Sequence, residues 1–165
     1  MSIQIRQFAV MTLLFSFFLS TSYAQQANTG WIEKVNVGKH NLLMTAKIDS
    51  GADNSSIHAL HPERYEKNGK PWVRFTLNSG TGQATIIDEP IIKTTRIKMK
   101  NKAVQERLVI ELDVCLDNIR KRVPVNLSDR SHFNYQLLIG RSFLKSDFLI
   151  DSGKKFMTKS CSSYI

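Results

Sequence analysis

The sequence predicts an all-β domain, and three observations support this prediction. Short apolar runs recur along the chain, and Gly, Asn, Asp and Ser residues separate them. Some runs alternate apolar and polar residues, as a half-buried strand does. Helical periodicity is scarce, since only single turns at 62–67 and 142–145 are expected. Many short strands with frequent turns are typical of a closed or sandwiched sheet.

The N-terminal segment precedes this domain and has the pattern of a cleavable secretory signal peptide. Arg6 provides a basic n-region, residues 8–19 form an apolar run, and the small residues Ser22 and Ala24 precede the expected cleavage site. We expect removal of residues 1–24 and a mature chain that begins at Gln25. An uncleaved anchor is the alternative, but the run is short for a membrane span of about 20 residues. The expected location is the bacterial periplasm or the exterior, with no membrane span after cleavage.

The expected strands follow one another through the mature chain. They are the segments 31–37, 42–48, 72–77, 84–87, 91–99, 108–116, 123–127, 137–139 and 148–150. The third and fourth of them flank a Gly-rich stretch, residues 78–82, which predicts a hairpin with a Gly-rich tip.

Residues 45–57 carry the clearest chemical signal. An apolar strand delivers Asp49 into a tight turn, where Ser50 supplies a hydroxyl and Gly51 permits a close approach of the backbone. Asp-Ser-Gly-Ala alone is weak evidence, because many strands end in Asp-Ser-Gly for the needs of a turn. A second segment, Leu-Leu-Ile-Gly-Arg-Ser-Phe-Leu at 137–144, makes the signal stronger.

The Asp-Ser-Gly-Ala turn, the hairpin at 72–87 and the Leu-Ile-Gly-Arg segment resemble, in this order, the retropepsin family of aspartic proteases. Residues 104–151 look like its bacterial branch, whose members are often called ATP-dependent zinc proteases and are associated with ATP-grasp peptide ligases. Many members have Thr at the position of Ser50, but Ser keeps the hydroxyl. The resemblance implies a closed six-stranded acid-protease barrel with a flap hairpin and one short helix. This domain would occupy residues 25–153, and residues 154–165 would form a C-terminal tail.

The resemblance also implies a role for each matching residue. Asp49 would be catalytic, and its loop would be supported by Ser50, Gly51 and Ala52. The flap tip would bind substrate through Asn78, Ser79, Gly80, Thr81 and Gly82. Structural support would come from Leu138, Ile139, Gly140, Asp53 and Arg141. We expect Asp53 to pair with Arg141 within one chain, and two unrelated surface charges are the alternative.

Aspartic proteolysis needs two carboxylates that share a proton. Ile-Asp-Ser-Gly recurs at 150–153, but too few residues follow Asp151 to buttress a second catalytic loop, so we expect a strand end and a turn there. The remaining solution is a homodimer in which the two Asp49 residues, one from each copy, meet on the two-fold axis. An exported aspartic endopeptidase is the leading hypothesis. The alternatives are a non-catalytic periplasmic peptide-binding module and a structural domain in which Asp49 caps a turn.

The charge balance bears on the partner. The chain has a formal net charge of +9, which favours acidic partners. Its basic residues are scattered and form no nucleic-acid-binding motif, so we expect a peptide or protein substrate, for which the charge favours acidic character, and no nucleic acid.

Cysteines and histidines complete the candidate sites. Cys115 and Cys161 permit one disulfide in an exported protein, and two free thiols are the alternative. No His-Glu-x-x-His motif or phosphate-binding P-loop is present, so we expect no metal and no cofactor. Structural or surface roles are expected for His40, His58, His61 and His132.

Overall fold

The structure is a computed structural model in which residues 25–80, 82–98, 104–159 and 161 are described. The expected signal peptide, residues 1–24, and Thr81 of the expected flap tip lie outside the described residues. The described strands are β1 (Ala27–Val37), β2 (Leu42–Ile48), β3 (Ser55–His58), β4 (Leu60–Lys67), β5 (Lys70–Asn78), β6 (Ala84–Lys98), β7 (Val104–Leu116), β8 (Ile119–Ser128), β9 (Leu137–Ile139) and β10 (Phe148–Lys155). The described helix is α1 (Arg141–Leu144). No helix within these residues is long and apolar enough to cross a membrane.

Six strands form a closed ring in the order β1-β2-β9-β3-β8-β7. The ring closes where β7 pairs back with β1, through Asn36 opposite Cys115 and Val37 opposite Val114. Strand β10 extends the sheet beyond β1, while β6, β5 and β4 extend it beyond β7. The prediction of a retropepsin-like all-β fold with one short helix is confirmed.

The core lies inside this ring, because each strand alternates between an inward and an outward face. In β2, for example, Leu42, Met44 and Ala46 are buried while Leu43 is exposed. Burial of each such apolar side chain contributes roughly 1.5–3 kcal/mol to the free energy of folding. The helix adds Phe143, which is fully buried and stacks on Phe148 with ring centroids 5.6 Å apart.

The predicted flap hairpin is formed by β5 and β6, which pair from Trp72 opposite Pro90 to Asn78 opposite Ala84. At its tip, the Ser79 amide donates to the Gln83 carbonyl at 2.9 Å. Gly80 and Gly82 adopt φ angles of +77° and +88°, which glycine accepts without a steric penalty.

The helical turn expected at 62–67 is wrong, because these residues belong to β4. Strand β4 pairs with β5 across a two-residue turn in which Asn68 and Gly69 both have positive φ. Asn-Gly is the preferred sequence for this turn, so the hairpin had a local signal. Tyr65 of β4 also donates a hydrogen bond to Asp88 of β6, which lowers the pKa of that carboxyl group. Pairing and side-chain contacts outweigh a weak helical preference.

The expected strand end at Asp151 is also wrong, because β10 continues through it to Lys155. Asp151 lies opposite Gly30 of β1, and the pairing register shifts just after that point. A side chain at Gly30 would meet the Lys154 carbonyl oxygen at 2.5 Å, so glycine permits this close approach.

The C-terminal tail after β10 folds back on β1 and is held by a buried carboxylate. Glu33 is fully buried, and its oxygens accept hydrogen bonds from the amides of Gly30, Met157 and Thr158 and from the Thr158 hydroxyl, at 2.7–3.2 Å. Four donors compensate this carboxylate for its lost hydration. The tail then reaches Cys161, which forms a disulfide with Cys115 of β7.

We predict that loss of this disulfide destabilises the domain. The bridge closes a sequence separation of 46 residues, and a loop of this size corresponds to about 4 kcal/mol of unfolding free energy in the chain-entropy model. Urea unfolding of the mature protein with and without dithiothreitol measures the change. The control is Cys115→Ser combined with Cys161→Ser, which should show the lower stability and no response to reductant. Equal stability of oxidised and reduced protein would contradict the prediction.

Candidate active site

Strand β9 positions Asp49, because β9 lies between β2 and β3. It pairs in parallel with β2, with Ile48 opposite Ile139, and antiparallel with β3, with Ser56 opposite Leu138. The Asp49 amide continues this pairing by donating to the Ile139 carbonyl at 2.9 Å. The carboxylate therefore leaves the sheet at the point where β9 also ends.

The Asp49 carboxylate is held from two sides. Its Oδ1 accepts a hydrogen bond from the Gly51 amide at 3.0 Å, and the Ala52 amide donates to the Asp49 carbonyl at 3.3 Å. Its Oδ2 lies 3.4 Å from the Lys47 ammonium group. The side chain of Asp49 is 26% exposed, so a polar ligand can reach it. Lys47 was not singled out in the sequence, although its position two residues before Asp49 places both side chains on the same face of the strand.

The segment after β9 fastens the Asp49 loop through its backbone. The amides of Arg141 and Ser142 donate to the carbonyls of Ala52 and Asp53, each at 2.9 Å. A side chain at Gly140 would meet the carbonyl carbon and oxygen of Asn54 at 2.6 and 2.7 Å. Only glycine allows the two segments to lie this close together.

The Arg141 side chain adds a second attachment to the loop. Its Nη1 donates to the Ser50 carbonyl at 2.7 Å, and its Nη2 pairs with the Asp53 carboxylate, as the sequence led us to expect. Both side chains are exposed, at 48% for Arg141 and 81% for Asp53. Exposed ion pairs contribute little to stability, so the backbone contacts carry most of the positioning. Leu138 and Ile139 support the loop through β9, and Ile139 is fully buried.

Two neighbouring cavities, one at the flap tip and one that includes Lys47, form the candidate substrate groove. One cavity of about 410 Å³ is lined by Ser79 and Gly80 of the flap and by Lys34, Met44, Thr45 and residues 133–136. A second cavity of about 280 Å³ is lined by Trp31, Lys47, Arg130, Phe133, Asn134 and Tyr135. The two cavities share residues 133–135 and therefore lie on either side of this loop. Another cavity, of about 450 Å³, is lined by residues that include Ala59 and Asp129. None of these three cavities is lined by a residue of the Asp49 loop, and Lys47 links the second of them to Asp49.

Arg130 is the functional candidate that the sequence reasoning missed. It is 8% exposed, and its Nε and Nη1 donate to the Tyr135 carbonyl and the Ser56 hydroxyl at 3.1 and 2.9 Å. Burial and the nearby Arg107 lower its pKa, while the charge of Asp49 raises it. The segment containing Arg130 was part of the family resemblance, but no motif indicated that its side chain turns inward.

His58 has a structural role beside Arg130. Its Nδ1 accepts a hydrogen bond from the Arg130 amide at 2.8 Å. This nitrogen therefore carries no proton, and its 3.5 Å approach to Asp129 is not an ion pair. Among the residues that the structure describes, no three His, Cys, Asp or Glu side chains are grouped as a metal site would require.

The fold and the Asp49 loop together define a retropepsin-like aspartic endopeptidase architecture. The family model described as RimB-like, retropepsin-like aspartic endopeptidase RimB, matches residues 28–160. The chain therefore belongs to the RimB-like family.

The chain is also similar to individual relatives and to a solved structure. The chain is 32% identical over 114 residues to a probable alpha-L-glutamate ligase of Shewanella halifaxensis, and 31% identical over 114 residues to one of Shewanella pealeana. Each match covers 67% of this chain but only 25% of the relative, so the chain spans about a quarter of their length. The structure is similar to the crystal structure of a Legionella pneumophila protein of unknown function, with a TM-score of 0.71 and 31% identity. That match covers 82% of this chain and 100% of the Legionella chain.

We predict that Gly140→Ala destabilises the domain by about 1–3 kcal/mol, the usual range for an overpacked site. The φ angle of Gly140 is −98°, which alanine accepts, so the cost is steric contact with Asn54. Urea unfolding measures the change. The matched control is Gly153→Ala, whose added carbon would approach only the Asp151 carboxylate, at 3.3 Å. Equal losses for the two variants would contradict the prediction.

Proposed function

We propose that this chain is an exported aspartic endopeptidase that hydrolyses peptide or peptide-like amide bonds, with Asp49 from each of two copies as the catalytic pair. The observation that carries the proposal is the Asp49 loop itself. Its carboxylate is oriented by the Gly51 amide and remains accessible, while the segment from Gly140 to Ser142 clamps the loop. A turn-capping aspartate would not need this clamp or the adjoining groove.

The second carboxylate of the pair comes from a second copy of the chain. Asp151, in the repeated Ile-Asp-Ser-Gly, lies within β10, pairs with Lys154 at 3.3 Å and belongs to no described loop like that of Asp49. Ser50 and Gly51 are exposed at the tip of the Asp49 loop, where a symmetric partner can approach. A two-fold axis at this tip brings the two Asp49 carboxylates together.

The mechanism follows from two carboxylates that cannot both ionise freely at close range. One Asp49 is ionised and removes a proton from a water molecule, whose oxygen attacks the carbonyl carbon of the substrate. The other Asp49 is protonated and donates a hydrogen bond to the carbonyl oxygen. The tetrahedral intermediate then collapses as the amide nitrogen takes a proton and the C–N bond breaks, which leaves a carboxylic acid and an amine.

The flap and the charges of the groove indicate how the substrate is held. An extended peptide beneath the flap tip, at Asn78–Gly80 and Gly82, would pair with the hairpin backbone as an added strand. Lys34, Lys47 and Arg130 line the groove, so an acidic peptide is favoured over a basic one. The relatives' name, alpha-L-glutamate ligase, refers to an acidic amino acid and agrees with this preference. Since the chain spans only a quarter of those relatives, the proposal does not include ligase activity.

A non-catalytic peptide-binding module is the second candidate. The same groove and flap support it, and a monomer would suffice. The two candidates differ in whether Asp49 chemistry is needed and whether two copies associate.

We predict that Asp49→Asn reduces cleavage of an acidic peptide library by roughly 10²–10⁴-fold, because Asn cannot exchange the proton. Cleavage by residues 25–165 is followed by mass spectrometry from pH 4 to pH 8. The matched control is Asp151→Asn, which alters the repeated Asp-Ser-Gly and should leave cleavage unchanged.

Sedimentation of the same proteins decides between the candidates. A dimer with cleavage that depends on Asp49 supports the peptidase. Monomers that bind peptides without cleavage, whatever residue stands at 49, would overturn the peptidase proposal in favour of the binding module.

A further inference from the structure

The cavity that contains Arg130 lies directly beside the catalytic candidate. Lys47 belongs to this cavity, and its ammonium group is 3.4 Å from Asp49 Oδ2. Arg130 lies close enough to Asp49 for their charges to interact. A molecule in the cavity would therefore be adjacent to the carboxylate that, in the proposed mechanism, activates the attacking water.

The buried charge of Arg130 is not neutralised by an acid in the described part of the chain. No described carboxylate lies within 4.0 Å of its guanidinium nitrogens, whereas Arg122, Arg141 and Arg74 all have carboxylate partners at such distances. Its neutral partners are the Tyr135 carbonyl and the Ser56 hydroxyl. Burial of a charge without a counter-charge is unfavourable, and such charges in clefts are frequently functional.

The side chains around Arg130 hold the guanidinium group in place. The Phe133 ring lies 4.5 Å from its central carbon, and the Arg130 amide is bound by His58. Trp31 and Tyr135 also line the cavity and meet edge-to-face, with ring centroids 6.3 Å apart. The Tyr135 carbonyl and the Ser56 hydroxyl use the Nε donor and one donor of Nη1. The other Nη1 donor and those of Nη2 remain, and this pair of nitrogens matches the two oxygens of a planar carboxylate.

We propose that Arg130 and Lys47 form a carboxylate-binding subsite that fixes the substrate next to Asp49. This proposal rests on the proposed function, since the subsite places the substrate at Asp49. The carboxylate belongs either to an acidic side chain close to the scissile bond or to the C-terminus of the peptide. Arg130 supplies the buried charge that recognises the carboxylate, and Lys47 supplies a second charge at the open side, where its side chain is 45% exposed.

The first test measures binding alone, so that it does not depend on catalysis. The Asp49→Asn protein is titrated with a glutamate-containing peptide and with the same peptide carrying glutamine, and both are prepared with free and with amidated C-termini. We expect the preferred carboxylate form to bind about 10- to 100-fold more tightly than its neutral counterpart, as expected for a hydrogen-bonded charge. Loss of affinity on Glu→Gln identifies a side-chain carboxylate, and loss on amidation identifies the C-terminus.

The second test assigns the preference to residues. Arg130→Met should remove most of the discrimination between charged and neutral peptides, and Arg130→Lys should restore part of it. If Arg130 has a purely structural role, its substitution weakens the binding of both peptides equally and leaves the ratio of their affinities unchanged. That result would overturn the proposal.

Lys47→Gln provides a second variant in case Arg130→Met does not fold, because Lys47 is half exposed and is not tied to the loop at 130–136. It should reduce the same ratio by a smaller factor. The matched control is Lys39→Gln, which removes the same charge in the turn before β2. The strand from Leu42 to Lys47 separates the two positions by about 17 Å at 3.3 Å per residue, so this variant should leave the ratio unchanged.

The outcomes separate this proposal from the proposed function. Carboxylate-dependent binding that requires Arg130, without cleavage by the unaltered protein, would support the subsite and overturn the peptidase. Cleavage that depends on Asp49 but ignores carboxylates would support the peptidase and overturn the subsite.

Discussion

The placement of β9 between β2 and β3 is the constraint on which the rest of the site depends. Strand β2 ends at Ile48, just before Asp49, and β9 ends at Ile139, just before Gly140. The parallel pairing of the two strands brings these ends to one edge of the sheet. The two following segments must then cross in contact, which the missing side chain of Gly140 permits. The backbone bonds from Arg141 and Ser142 convert this crossing into a fixed support for the Asp49 loop. The Asp49 carboxylate, the catalytic candidate, is thus held by the sheet itself.

Two buried charges illustrate how the fold treats structure and function differently. Glu33 is fully buried, yet four hydrogen-bond donors from the chain satisfy it and attach the C-terminal tail to β1. Arg130 is nearly as buried, yet its described partners are neutral and it borders a cavity. The charge of Glu33 is therefore satisfied entirely by donors from the same chain. The charge of Arg130 gains a counter-charge only when an anion enters the groove. This is the reason to place substrate recognition there.

The sequence predicted the fold and the Asp49 loop better than it predicted the residues that surround the site. The strands and the hairpin follow from local patterns, and the Asp53–Arg141 pair follows from the family resemblance. The structure contains all of them. The segment 62–67 was mistaken for helix because its composition is compatible with helix, while the decisive Asn-Gly turn comes just after it. Asp151 was expected to end a strand, but pairing with β1 carries β10 through it. Both errors arise where distant pairing overrides a local preference.

By itself, the sequence determined the all-β class, the Asp-Ser-Gly-Ala loop with its Gly-Arg partner segment, and a cysteine pair able to form one disulfide. These features depend on residue type and on order along the chain, which a linear sequence records. Only the tertiary structure decided that β9 threads between β2 and β3, that Cys115 pairs with Cys161, and that Arg130 turns inward beside Lys47 and Asp49. The physical reason is that burial, charge compensation and cavity shape come from residues far apart in the chain, and no local pattern encodes their meeting.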